Sequence, residues 1–155
     1  MNEIAITTVL ISGGAGAMGQ LTSEYLNSRE DYVLSAIYDP NYEGKDYDVY
    51  KELTDIKEDL VIEFSPANII NENVTKLLDT DADIIIGSSG LSSESLTNLK
   101  KAAINRKIIV IPNFSVGAAY QKIFSNSLSS KFKSVNIIEK HHSKKQDAPS
   151  GTAYD

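Results

Sequence analysis

The 155-residue sequence has no cysteine and no tryptophan, only two histidines and four prolines, and no unbroken apolar run long enough to span a bilayer. Without cysteine, disulfides and thiolate metal sites are excluded, and a reducing compartment is compatible. The opening Met1-Asn2-Glu3-Ile4 lacks the basic region of a signal peptide, so the expected location is cytoplasmic, with no membrane partner. Positive charge is also scarce: Lys and Arg number 15 against 21 Asp and Glu, for a formal net charge of -6. A nucleic-acid or anionic-membrane partner requires an extended basic surface, which this balance disfavours; a small anionic ligand needs only a local positive pocket. The two histidines are neighbours, His141 and His142, not the i, i+4 helical pair of zinc hydrolases, so no metal site is expected.

What is present is a regular alternation of two patterns. Val9–Ser12, Val33–Tyr38, Leu60–Phe64, Ile84–Ile86 and Ile108–Ile111 are short apolar runs rich in β-branched residues, as expected of parallel strands buried on both faces. Between them lie helical spacings. Met18, Leu21, Tyr25 and Leu26 share one face, and Ile69, Ile70, Val74, Leu77 and Leu78 another, after Ser65-Pro66 as an expected cap and first turn. A third helix is expected from about Ser93 to Asn105, with Leu96, Leu99, Ala103 and Ile104 on one side. A fourth is expected from about Val116 to Leu128, leading into the strand-like run Val135–Ile138. The polar segment 40–48 reads as an exposed loop. This order predicts an α/β fold, a Rossmann-like doubly wound parallel sheet with right-handed crossovers.

The first strand runs into Gly13-Gly14-Ala15-Gly16-Ala17-Met18-Gly19, a G-x-x-G-x-x-G pattern that opens the first helix. Glycines allow the tight turn, remove the Cβ atoms that would block a pyrophosphate, and leave helix N-terminal N–H groups free for phosphate. A purely structural strand-to-helix turn is the alternative. Asp39 ends the second strand about twenty residues farther on, where a carboxylate accepts hydrogen bonds from ribose hydroxyls; an Asp-Pro turn is the alternative there.

The other concentration of chemistry is Glu139-Lys140-His141-His142-Ser143-Lys144-Lys145-Gln146-Asp147-Ala148-Pro149-Ser150-Gly151-Thr152. It joins both histidines, adjacent lysines and a Ser-Gly-Thr turn, which suits the holding of a carboxylate; a solvated basic face is the competing reading. If His141 and His142 sat in regular strand only one would face a pocket, whereas a loop can aim both inward.

Taken with the Gly-rich loop, this ordered stretch resembles the substrate loop of the 4-hydroxy-tetrahydrodipicolinate reductase family, also called dihydrodipicolinate reductase. The resemblance implies NAD(P)H-dependent reduction of 4-hydroxy-tetrahydrodipicolinate in the diaminopimelate route to lysine. It assigns His141 and Lys145 to catalysis, the first as acid/base or relay and the second as proton donor. It assigns His142, Gly151 and Thr152, with Lys145, to the carboxylate of a small dicarboxylate substrate.

Gly13, Gly14, Ala15, Gly16, Ala17, Met18 and Asp39 are then cofactor-binding. Gly87-Ser88-Ser89, where relatives have Gly-Thr-Thr, and Ile111-Pro112-Asn113-Phe114 are expected to frame the nicotinamide. Glu63-Phe64-Ser65 resembles the family's Asp-Phe-Thr, yet reads first as strand end and helix cap. Pro40 stands where an arginine often follows in NADP-using members, so NADH is the expected preference, with NADPH as the alternative. The resemblance divides the chain into a dinucleotide-binding domain, 1–130, and the beginning of a substrate domain, 131–155, whose remainder is expected to be largely missing after residue 155. It implies a homo-oligomer, a tetramer, for a complete member. The competing function is a non-catalytic dinucleotide-binding module.

Overall fold

The structure is a computed structural model that describes residues 5–111, 113–136, 138 and 140. It falls into two compact units, residues 1–111 and 112–155.

In the first unit β1 (Thr7–Ser12), α1 (Ala17–Asn27), β2 (Tyr32–Tyr38), β3 (Asp48–Tyr50), β4 (Leu60–Glu63), α2 (Ile70–Leu78), β5 (Asp83–Ile86), α3 (Ser93–Ala102) and β6 (Ile108–Val110) follow in chain order. The strands form one sheet in the order β3-β2-β1-β4-β5-β6, and every pairing is parallel. Chain order reverses about β1, with β2 on one side and β4 on the other. The crevice beyond their carboxyl ends is where such sheets bind ligands.

The double winding follows from the side-chain alternation of β1. Val9 and Ile11 join Leu26, Leu34 and Ile62 in one buried cluster, while Leu10 joins Val61, Ile70, Val74, Leu77, Ile84, Ile86 and Leu99 in the other. A register shift interrupts the pairing of β1 with β2: Val9 lies opposite Leu34 but Leu10 opposite Ala36. Ser35 is the extra residue, and it places Leu34 and Ala36 in different clusters despite their even spacing. Its hydroxyl bonds Glu58 Oε1 at 3.0 Å.

Several expectations are corrected. Of the expected face of α1 Leu26 is buried, but Leu21 and Tyr25 are exposed and Gly19 is buried in their place, because the Gly-rich turn fixes which side meets the sheet. Ser65 does not cap α2, whose N-cap is Ile69 without a side-chain bond. Helix α3 stops at Ala102, and Ile104 is 82% exposed. The expected 40–48 loop is largely exposed, but its last residue, Asp48, opens β3, too short and polar at its start to announce itself, yet paired along Ala36–Tyr38. Strand β6 is an edge of the described sheet, and Ile109 and Val110 are exposed rather than buried on both faces.

In the second unit α4 (Val116–Ser129) is capped by Ser115, whose hydroxyl accepts the Ala118 N–H at 3.3 Å. Val135, Asn136 and Ile138 form no strand among the described residues; Ile137 lies outside them. Within this unit Phe124, Leu128, Phe132, Val135 and Ile138 line an apolar groove. Among the described residues no helix is long and apolar enough to cross a membrane, and no cluster of side chains could hold a metal ion.

Candidate functional site

The site begins where β1 ends. Gly13 has φ +83°, its N–H donates to the Tyr38 carbonyl at 2.8 Å, and its carbonyl accepts the Gly16 N–H at 3.2 Å. A Cβ there would lie 2.9 Å from the Phe64 carbonyl carbon and 3.1 Å from the Ser65 nitrogen, so the turn packs directly on the exit of β4. A Cβ on Gly19 would run into the Gly13 carbonyl and lie 2.6 Å from the Gly14 Cα, which makes glycine the condition for α1 to approach the turn. At the N-cap, Gly16 offers no side chain, and no side-chain bond caps the first turn of α1. Helix N-terminal N–H groups left without such a partner carry partial positive charge and suit an anion.

These elements border a cleft of ≈ 320 Å³ lined by Gly13, Ala15, Gly16, Tyr38, Asp39, Pro40, Asn41, Phe64, Ser65, Pro66 and Ile69. Among its described lining residues Asp39 is the charged one. Its Oδ2 accepts the Ala15 N–H at 2.9 Å and its Oδ1 the Asn41 N–H at 2.8 Å, so the carboxylate is held between the glycine turn and the exit of β2. Each carboxylate oxygen keeps further acceptor capacity for hydroxyl donors. An open turn in which Gly13, Gly14 and Gly16 carry no Cβ, an uncapped helix start and a fixed carboxylate fit the pyrophosphate and ribose of a dinucleotide.

Under the cleft lies a buried polar network at the ends of β1, β4 and β5. Glu63, fully buried, accepts the Ser65 N–H and, at 3.3 Å, the Asn73 amide. Asn73 also donates to Ser65 Oγ at 2.9 Å, and Ser65 Oγ meets Ser12 Oγ at 3.0 Å. Ser88 donates to the Ser65 carbonyl at 2.7 Å, and the Gly87 N–H to the Glu63 carbonyl at 2.9 Å. Three loop starts are thereby joined. Farther along the segment that follows β2, burial and then the charge of Asp46 hold the Tyr42 hydroxyl above its ordinary pKa.

Gly13, Ala15, Gly16 and Asp39 thus meet in one cleft. Gly14, Ala17 and Met18 belong to the same turn and helix start but not to the lining. Gly87, Ser88 and Ser89 sit at the same sheet edge, outside that lining, and the Ile111 N–H bonds the Ile86 carbonyl at 2.8 Å beside them. In the second unit Asn113 Oδ1 accepts the Ser115 N–H at 2.7 Å, and Phe114 is partly exposed. Pro112, His141, His142, Lys145, Gly151 and Thr152 lie outside the described residues. Sequence reasoning set Phe64 and Ser65 aside as strand end and cap, and it missed Tyr38, Asn41 and Ile69. The signal was positional, since these residues end or follow the two strands on either side of β1.

Comparison with known families decides the kinship. Residues 7–114 match the family described as dihydrodipicolinate reductase, N-terminus, and residues 115–155 match dihydrodipicolinate reductase, C-terminus. The chain belongs to the dihydrodipicolinate reductase family. It is 34% identical over 151 residues to the 4-hydroxy-tetrahydrodipicolinate reductase of Bifidobacterium longum subsp. infantis, covering 94% of this chain and 58% of that protein. It is 35% identical over 147 residues to that of Coxiella burnetii, covering 94% and 59%. The chain therefore spans somewhat under two thirds of the length of these relatives.

Among solved structures it resembles the dipicolinate-bound dihydrodipicolinate reductase of Paenisporosarcina sp. TG-14, with TM-score 0.74 and 30% identity over 96% of this chain and 63% of that one. GenD2 from gentamicin A biosynthesis, solved in complex with NAD, shares the fold at TM-score 0.64 and 16% identity over 83% of this chain and 41% of that one. The family member described here thus carries a Rossmann-like dinucleotide-binding fold.

Proposed function

We propose that this chain is the cofactor-binding part, with the catalytic loop, of an NAD(P)H-dependent 4-hydroxy-tetrahydrodipicolinate reductase. The observation that carries the reading is the cleft in which Gly13, Gly16 and Asp39 converge, in a chain matched end to end by the two parts of one reductase family. Gly13 to Met18 hold the pyrophosphate, Asp39 the adenosine ribose, and Gly87 to Ser89 with Ile111 to Phe114 the nicotinamide. NADH is preferred, because Asp39 repels a 2'-phosphate and Pro40 supplies no compensating cation; among the described residues the lining of the cleft contains no Lys, Arg or His. When bound, the cofactor supplies the hydride.

The chain's own residues do the rest. His142, the Lys145 ammonium, the Gly151 N–H and the Thr152 hydroxyl hold a carboxylate of the cyclic dicarboxylic imine; the bound dipicolinate of the Paenisporosarcina relative has the same dicarboxylate chemistry. His141 relays a proton and Lys145 delivers one. The balance is one hydride and one proton added to the substrate and one water lost from its 4-hydroxyl. The division into residues 1–130 and 131–155, a tetramer and a cytoplasmic setting belong to the same proposal.

The test is steady-state reduction of 4-hydroxy-tetrahydrodipicolinate by the protein that contains this chain. NADH is expected to give the higher kcat/KM, and Lys145→Ala to cut turnover severely while NADH affinity stays near normal. Absence of turnover with either cofactor, alongside intact NADH binding, would favour the non-catalytic dinucleotide-binding module.

A further inference from the structure

We infer that Asn71 is the positioning residue of the 87–92 loop and so controls recognition of the nicotinamide end of the cofactor. This rests on the proposal that the loop frames the nicotinamide. Asn71 stands one residue into α2, and both ends of its carboxamide are spent on a single short segment. Its Nδ2 donates to the Gly90 carbonyl at 3.0 Å, while its Oδ1 accepts the Ser92 N–H at 2.8 Å and the Ser95 hydroxyl at 2.8 Å. The bonds to Gly90 and Ser92 bracket Leu91, and the third reaches the first turn of α3.

The opposite end of the loop is fixed independently. Gly87 is bonded to the Glu63 carbonyl and Ser88 to the Ser65 carbonyl. Ser89 is the exposed residue left between the two anchorages. Gly90 follows it with φ +92°, and a Cβ there would lie 2.7 Å from the Ala67 Cβ, so the loop is drawn down onto the turn before α2. Among the described residues Asn71 alone joins that helix to the far side of the loop through donor and acceptor together. Aspartate would keep the two acceptor contacts and lose the donation to Gly90; alanine loses all three.

A merely structural tie between α2 and α3 would not discriminate between parts of a ligand. Titration of the 155-residue chain with NADH and with ADP-ribose, which shares everything but the nicotinamide, therefore separates the two roles. The wild type is expected to bind NADH about fivefold or more tighter than ADP-ribose, and Asn71→Ala to bring the ratio to within about twofold while ADP-ribose affinity holds. Asn71→Asp, which keeps the bonds from Ser92 and Ser95, is expected to give an intermediate ratio.

Equal weakening of both ligands by Asn71→Ala, or an unchanged ratio in a discriminating wild type, would overturn the role of Asn71 alone. A wild type that binds both ligands equally would overturn the nicotinamide reading of the loop, and the inference with it.

Discussion

Two glycines of the same turn should fail in opposite ways when replaced by alanine. At Gly13 the backbone has φ +83°, a region that costs an L-residue roughly 1–2 kcal/mol. The added Cβ would also meet Phe64 C, Phe64 O and Ser65 N at 2.9, 3.0 and 3.1 Å. Those are backbone atoms that cannot recede cheaply, because the Phe64 N–H is bonded to the Ser12 carbonyl at 2.8 Å and the Ser65 N–H to buried Glu63. Overpacking of this kind costs about 1–3 kcal/mol, so Gly13→Ala should destabilise by roughly 2–5 kcal/mol, a large part of the about 5–15 kcal/mol typical of a domain.

Gly16 has φ -73° and ψ 165°, and its Cβ would find only the Gly13 carbonyl, at 3.3 Å. Gly16→Ala should therefore cost at most about 1 kcal/mol of stability, the usual scale for an N-cap change. Its methyl group would enter the cleft at the start of α1, so NADH affinity should fall about tenfold or more, equivalent to about 1.4 kcal/mol. Urea unfolding followed by circular dichroism measures the first quantity and calorimetric titration the second. A loss below about 1 kcal/mol at Gly13, or unchanged NADH binding at Gly16, would refute the division of labour between them.

Asp39→Ala should weaken NADH more than NADPH, by about tenfold, as it removes the ribose acceptor and also frees the Ala15 N–H; paired calorimetric titrations check the order. Thr8 donates to Asp59 Oδ2 from both its N–H, at 2.8 Å, and its hydroxyl, at 2.7 Å, and these bonds hold the Asp59 carboxyl below its ordinary pKa. A depressed folded-state pKa gives stability that is present above the unfolded value and lost as pH falls through the folded one. The urea midpoint difference between wild type and Asp59→Asn should accordingly be full at neutral pH and shrink below about pH 4. Arg106 donates to the carbonyls of Leu77 in the last turn of α2 and of Thr80 and Ala82 beyond its end. Arg106→Met should lower unfolding free energy by about 2–4 kcal/mol in the same urea assay, with NADH binding unaffected.

Legibility followed the length of the physical signal. Five apolar runs announced five strands because a parallel sheet covered on both faces needs near-continuous β-branched residues, and Val9 to Ile11 are fully buried as that pattern requires. Strand β3 stayed hidden because three residues joined to a polar stretch carry no periodicity. The glycine spacing of the turn could be read directly, since each Cβ absent from it is a local matter. Asn71 could not, because its importance arises only when α2, the 87–92 loop and α3 come together. Leu26 on the face of α1 was read correctly, but Leu21 and Tyr25 were misread for a related reason: they fit the helical repeat, yet the close approach permitted by Gly19 decides which side meets the sheet. The reacting end was read from an ordered resemblance, His141 to Thr152, and rests on it.

The most direct measurement of the central claim, that the cleft between Gly13, Gly16 and Asp39 holds a nicotinamide dinucleotide, is calorimetric titration of NADH into this chain. The expected result is saturable binding at a single site, with a dissociation constant between about 1 μM and 1 mM, the range usual for enzyme substrates. The absence of saturable binding by NADH and NADPH alike, in a chain whose circular dichroism shows it folded, would contradict the claim.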